Sequence, residues 1–142
     1  MASELAFPDF VLDRRLAADT VELARWPLSL VLLMNERRWP WLILVPRRPE
    51  LRDVDDLPPA ERTVLIEETA RVSRVLKDTM RPAKINVAAL GNVVPQLHVH
   101  VIARFTDDPA WPRPVWGTPP ELYEAEALRK RSAFFRQALN DG

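Results

Sequence analysis

The sequence predicts an α+β fold: a mostly antiparallel sheet, one long helix between two strand pairs, and a C-terminal helix. Three observations carry that expectation. Two nearly continuous apolar runs flank a polar turn within residues 28–46, apolar residues recur at three- and four-residue spacing over 57–82, and two strand-like runs over 84–104 precede a second helical pattern at 121–139. Strands, helix, strands, helix is an order that segregates helices from an antiparallel sheet. The chain has 142 residues, 47% of them apolar, which fits one domain spanning 1–142 with a core at about 20–105 and a C-terminal extension and helix at 106–142.

In chain order, Phe7, Phe10, Val11 and Leu12 suggest a leading strand or arm closed by a polar turn at Asp13–Arg15. Residues 20–25 (TVELAR) alternate as a short strand that Trp26–Pro27 ends, because proline cannot donate to a central ladder. LSLVLLMN (28–35) and WLILVP (41–46) are apolar enough to be covered on both faces, and the turn Asn35–Pro40 joins them as a hairpin. Strand alternation points Leu33 and Asn35 the same way, and likewise Trp41, Ile43 and Val45.

After a charged loop at 47–57, Pro59 and Glu61 suit the start of a helix. Its apolar stripe is Leu65, Thr69, Val72, Leu76 and Thr79, and Arg81–Pro82 stops it. Glu67, Glu68, Arg71, Arg74, Lys77 and Asp78 read as its solvated face. KINVAAL (84–90) and QLHVHVIAR (96–104) form a second hairpin around the tight loop Gly91–Pro95. A Pro/Trp segment follows, then the last helix, with Leu122, Ala125, Leu128 and Phe135 as contacts.

Bulk properties narrow the function. Twenty basic and twenty acidic residues cancel, which argues against a charge-driven nucleic-acid binder but not against a small anionic ligand. The absence of cysteine excludes disulfides and thiolate metal sites. No window approaches a membrane span of roughly 20 apolar residues, and MASELAFPDFVLDRRL lacks a signal-like apolar core. A cytoplasmic protein without a membrane partner is expected. The 14 prolines are about double the usual ~5%, and all five tryptophans lie within two positions of one, as expected of residues packing loop corners.

The two histidines of the chain are His98 and His100. Two apart on one strand, they project from one face together with Gln96, while Leu97, Val99 and Val101 face the core. Imidazole is the acid, base or nucleophile of neutral pH. Three readings fit this pattern: a catalytic pair, two half-buried histidines bound to backbone, or two ligands of a metal ion completed by a carboxylate such as Asp107 or Asp108.

The segment NVVPQLHVHVIAR resembles the signature of the histidine-triad (HIT) superfamily, His-φ-His-φ-His-φ-φ with φ apolar. His98 and His100 match its central and last histidines, and Gln96 stands where the first would be. LMN with WLILVP resembles the family's nucleotide-binding hairpin, and the likeness extends over residues 20–105, nearest to bacterial HIT hydrolases acting on diadenosine tetraphosphate. The resemblance implies that His98 attacks the α-phosphorus of an adenine-type nucleotide, giving a nucleotidyl-histidine that water hydrolyses. His100 then contacts phosphate oxygens and the leaving group. The resemblance places Asn92, with the N–H groups of Val93 and Val94, near phosphate, Asn35 at ribose and Asn86 as a second polar contact. Leu33 and Ile43 then face the base. Taken alone, the three asparagines read equally as turn and strand-end residues. Glutamine donates and accepts but carries no titrating proton, so Gln96 implies support without proton transfer. The resemblance further implies a homodimer that joins two sheets and protects an edge strand. No cofactor and no metal site are expected, although a divalent cation can accompany the nucleotide. A binding module with little turnover and a metal-dependent hydrolase are the alternatives.

Overall fold

A computed structural model of the chain describes residues 9–141. A short helix α1 (Arg14–Asp19) leads into β1 (Thr20–Arg25), β2 (Ser29–Met34) and β3 (Trp41–Pro46). A single 3-10 turn (Val54–Asp56) precedes the long helix α2 (Pro59–Met80), and β4 (Lys84–Ala88), β5 (Val99–Arg104) and α3 (Ala125–Asp141) complete the order. The strands form one sheet in the order β1-β2-β3-β5-β4, and every neighbouring pair is antiparallel. The fold is therefore α+β with a long helix and a C-terminal helix, as the sequence pattern predicts. Among the described residues no helix is long and apolar enough to cross a membrane.

The sheet buries both faces. One carries Val31, Leu33, Leu42, Leu44, Val99 and Val101 against Leu65, Val72, Val75 and Leu76 of α2 and Phe135 and Leu139 of α3. The other carries Leu30, Leu32, Trp41, Ile43, Val45 and Ile102 against Leu16 of α1, Trp39, Val94 and Val115. Helix α2 ends where Arg81 turns left-handed (φ 51°) and its N–H reaches the Lys77 carbonyl, after which Pro82 prevents continuation.

Several expectations are corrected. The polar stretch at Asp13 is a helix start, not a turn: Asp13 Oδ1 accepts the Arg15 and Leu16 N–H groups at 2.8 and 3.4 Å, which is what an N-cap carboxylate does. Phe10–Leu12 are not a strand, and Phe7 lies outside the described residues. The strand holding the histidines begins at Val99, so Gln96–His98 precede it, and β4 ends at Ala88. On α2, Glu68 is buried and accepts the Leu28 N–H at 3.1 Å. It lies three residues after Leu65 and four before Val72, on the apolar stripe, so helical position outweighed its charge. Arg71 is also off the solvated face, with its guanidinium 4.1 Å from the centre of the Trp26 ring. The last helix begins at Ala125 rather than 121, so Leu122 precedes it and is exposed, as is Ala125; Phe135 and Leu139 are its buried contacts, and Leu128 packs partly buried against the core.

Candidate active site

The site grows out of the strand alternation of β5 and the loop before it. Leu97, Val99 and Val101 enter the helix-covered core. His98 and His100 point the other way, 6% and 7% exposed, with ring centres 4.8 Å apart and planes at 70°. They line a cavity of about 340 Å³, mostly apolar, with Leu16 from α1, Met34 at the end of β2, Ile43 of β3, Leu90–Val94 and Trp116. Arg15 and Asp19 of α1 add one charge of each sign to its wall. A smaller cleft of about 120 Å³ shares Leu90, Gly91 and His98 with the cavity wall and is also lined by Arg52 and Asp53. Gly91 permits the tight loop: its φ is +70°, and a Cβ there would meet the Val94 carbonyl at 3.4 Å.

Each imidazole is fixed through its Nδ1. His98 Nδ1 lies 2.7 Å from the Gln96 carbonyl oxygen. A carbonyl only accepts, so this Nδ1 carries a proton, and in the neutral ring Nε2 keeps its lone pair. At His100 the Trp41 indole N–H donates to Nδ1 at 3.0 Å, in a buried contact. Burial, and then the proximity of His98, pushes the His100 pKa down to about 3. Trp116 stands edge-on to His100 at 5.1 Å and to Trp41 at 5.7 Å.

His98, His100, Asn92, Val93, Val94 and Ile43 are brought around this one cavity. Four other sequence-derived candidates are not on its wall. Leu33 faces the helices, because the hairpin register sets Leu33 opposite Leu42 and Leu32 opposite Ile43. A residue on the Leu33 face cannot share a pocket with Ile43, and Met34 takes the place expected of it. Asn35 Oδ1 accepts the Tyr123 N–H at 3.0 Å and ties down the segment before α3. Asn86 accepts from Arg104 Nη1 at 2.9 Å. The Gln96 side chain turns to the N-terminal segment: Nε2 donates to the Val11 carbonyl and Oε1 accepts the Asp13 N–H, both at 2.9 Å. Only its backbone carbonyl supports His98.

Sequence reasoning missed Arg15, Leu16, Asp19, Met34, Leu90 and Gly91, and does not by itself place Trp116. The Asp13 cap before Arg14–Leu16 was a signal for α1. Nothing local announces Trp116, which reaches the site because Arg104 anchors its segment. Arg104 donates to Asp108 at 2.8 and 3.0 Å and to the Arg113 carbonyl at 2.8 Å. Burial alone would raise the Asp108 carboxyl, but Arg104 and the Phe105 N–H outweigh it and hold it well below the usual range. Asp108 is therefore committed to Arg104 rather than free to join His98 and His100 around a metal ion. Among the described residues no three His, Cys, Asp or Glu side chains stand where they would hold one.

The fold is an antiparallel α+β domain that presents two oppositely anchored histidines at an apolar cavity. The HIT domain matches residues 16–107, and the chain belongs to that family, whose members are in general nucleotide hydrolases and transferases. It is similar to three crystal structures of bacterial histidine triad proteins. The protein from Bradyrhizobium japonicum is 46% identical, with 94% of this chain and 98% of that one covered and a TM-score of 0.86. For that from Sinorhizobium meliloti the values are 43%, 95%, 98% and 0.87, and for that from Marinobacter aquaeolei 45%, 93%, 97% and 0.89. No curated protein matches the chain.

Proposed function

We propose that the protein is a nucleotide hydrolase or nucleotidyl transferase that attacks the α-phosphate of an adenine-type nucleotide or dinucleotide through His98. The observation that carries this reading is the contact of His98 Nδ1 with the Gln96 carbonyl, 2.7 Å. It orients the ring and leaves the Nε2 lone pair as nucleophile. Nε2 forms a bond to the α-phosphorus, and the bond from phosphorus to the leaving oxygen breaks with its electron pair on that oxygen. Water, or an acceptor in transfer, then attacks the same phosphorus, and the N–P electron pair returns to Nε2. The attacking water gives up its proton and the leaving oxygen takes one.

The apolar wall of Leu16, Met34, Ile43, Val94 and Trp116 suits a base, and Asn92 with the loop N–H groups suits phosphate oxygens. Arg15 on the cavity and Arg52 on the neighbouring cleft can donate to phosphate oxygens, but Asp19 and Asp53 stand on the same walls, so the choice of diadenosine tetraphosphate as substrate rests on the family resemblance rather than on charge. The reading requires no resident cofactor; a divalent cation that takes part arrives bound to the polyphosphate. A cytoplasmic location goes with this reading and is compatible with a chain without cysteine. The working form is a homodimer paired through β4, an edge strand whose Val87 is 51% exposed; light scattering that finds a monomer at assay concentration removes this part.

The Gln96 side chain favours a second reading, a nucleotide-binding module with little turnover, since no titrating group stands at the first position of the triad. Turnover of diadenosine tetraphosphate and of an adenosine phosphoramidate, with and without chelator, decides between the two. Under the first reading turnover resists chelator and His98→Ala reduces it by about 10³-fold or more. Binding of both nucleotides without turnover by the wild type makes the second reading the better one.

A further inference from the structure

We infer that Trp41 is a positioning residue that holds His100 in the tautomer with its proton on Nε2, making His100 a hydrogen-bond donor into the cavity. The argument starts from inventory. An indole N–H donates and has no lone pair to accept with. Trp41 Nε1 lies 3.0 Å from His100 Nδ1, so that nitrogen must be bare. A neutral imidazole then carries its one proton on Nε2. Nδ1 faces the indole, and Nε2 is the polar ring atom left for the cavity that His100 lines.

The surroundings keep the ring neutral. Trp41 and Trp116 stand edge-on to it at 5.6 and 5.1 Å, Ile43 and Ala88 are its strand neighbours, and the His98 ring is 4.8 Å away. Arg15 and Asp19 face the same cavity from α1 and offset one another in sign. Burial, then His98, lowers the His100 pKa to about 3. Protonating Nδ1 would also turn the Trp41 contact into two opposed N–H groups.

The two histidines therefore hold opposite tautomers on one wall. In its neutral form His98 is Nδ1–H with Nε2 bare, because its partner is a carbonyl. His100 is Nε2–H with Nδ1 bare, because its partner is an indole. The first arrangement makes a nucleophile and the second a donor to charge developing on phosphate. What His100 donates to rests on the proposed function; the tautomer itself does not.

The test is ring-nitrogen NMR of the full chain without substrate, where two histidines give two assignable spin systems, identified with His98→Asn. The wild type should show His100 as the Nε2–H tautomer with no titration between pH 5 and 9. In Trp41→Phe, which keeps an aromatic ring and removes the donor, His100 should become a tautomer mixture. Its titration should also move toward the ordinary value of about 6.5. Kinetically, kcat should fall about 10-fold with KM within about 2-fold, less than the ~100-fold or greater loss of a whole charge-stabilising donor, because part of the population keeps the right tautomer. A wild-type His100 protonated on Nδ1 overturns the inference whether or not the variant folds. So does a folded variant whose His100 tautomer and titration are unchanged. A wild type with the expected tautomer and no turnover refutes the proposed function and leaves Trp41's role standing.

Discussion

The two faces of the sheet are covered in different ways. On one, α2 and α3 lay regular apolar stripes over Leu33, Leu42, Leu44, Val99 and Val101. On the other, the cover is short or irregular: α1 near the start of the chain, the 89–95 loop between β4 and β5, and the Trp-rich segment after β5 that brings Val115 and Trp116. The first and last of these pieces are held by polar contacts, from Gln96 to the N-terminal segment and from Arg104 to the Trp-rich segment. The helical face depends on area removed from water. The site face depends on a few directional bonds, which leave a cavity where packed helices would fill it.

Arg104 tests this contrast with the largest expected effect on stability. Arg104 and Asp108 form an ion pair whose side chains are 2% and 3% exposed, and removing one partner of such a pair costs about 3–5 kcal/mol. Leu44→Ala, at a fully buried position on the helical face, should cost about 2–5 kcal/mol by leaving a cavity. Denaturant unfolding therefore ranks the two variants closely, and kinetics separates them. Arg104→Ala releases the segment bearing Trp116 and should raise KM, whereas Leu44→Ala, assayed where it is still folded, should not. Equal rises in KM would erase the distinction between the faces.

Acid should separate the faces next. The folded His100 pKa is about 3, against an ordinary 6.5. Below pH ~6.5 the unfolded chain takes up a proton that the folded chain refuses, so stability falls as pH drops from 6.5 toward 3. Between pH 7 and 5 the loss from this group is about 2 kcal/mol, and His100→Asn should remove it from the unfolding curve. Asp108, held below its usual range, adds a further loss below about pH 4. On the helical face Glu68 works the opposite way. Burial raises its carboxyl, against the partial restraint of the Leu28 N–H and of Arg47. The folded chain therefore holds that proton more tightly, and acid in the carboxylate range favours folding there. A wild type and a His100→Asn variant with parallel stability profiles over pH 5–7 would show that His100 is not the acid-sensitive group.

This contrast also explains what was legible in the sequence. The α2 stripe and the apolar runs of β2 and β3 announce themselves through local periodicity, which burial under regular helices enforces. His98 and His100 were legible because a strand that is apolar on one side and carries imidazoles on the other has no packing reason to do so. Leu33 was misplaced because one-residue register is decided across the hairpin, not within the strand. Asn35 and Asn86 are polar residues at strand ends whose partners, Tyr123 and Arg104, come from far along the chain. Trp41 had the right face, but its donation to His100 depends on the β3–β5 pairing. Long-range geometry of this kind leaves no local pattern.

Gln96 gives the smallest and most discriminating effect. Its side chain is bonded to the backbone of Val11 and Asp13, and Asp13 caps the helix that presents Arg15, Leu16 and Asp19 to the cavity. Its carbonyl, which orients His98, belongs to the backbone and survives substitution. Gln96→Met keeps the length of the side chain and removes both amide bonds. Two such bonds in a partly exposed place contribute about 1–2 kcal/mol, so the N-terminal cover should loosen without the fold failing. KM for the nucleotide should then rise by about 3- to 10-fold while kcat stays within about 2-fold, since uniform binding is lost and transition-state contacts are not. Faster amide exchange confined to residues 11–19 would accompany it. If instead kcat falls with KM unchanged, the amide acts on the reacting groups themselves, and the site face is more than a cover held by directional bonds.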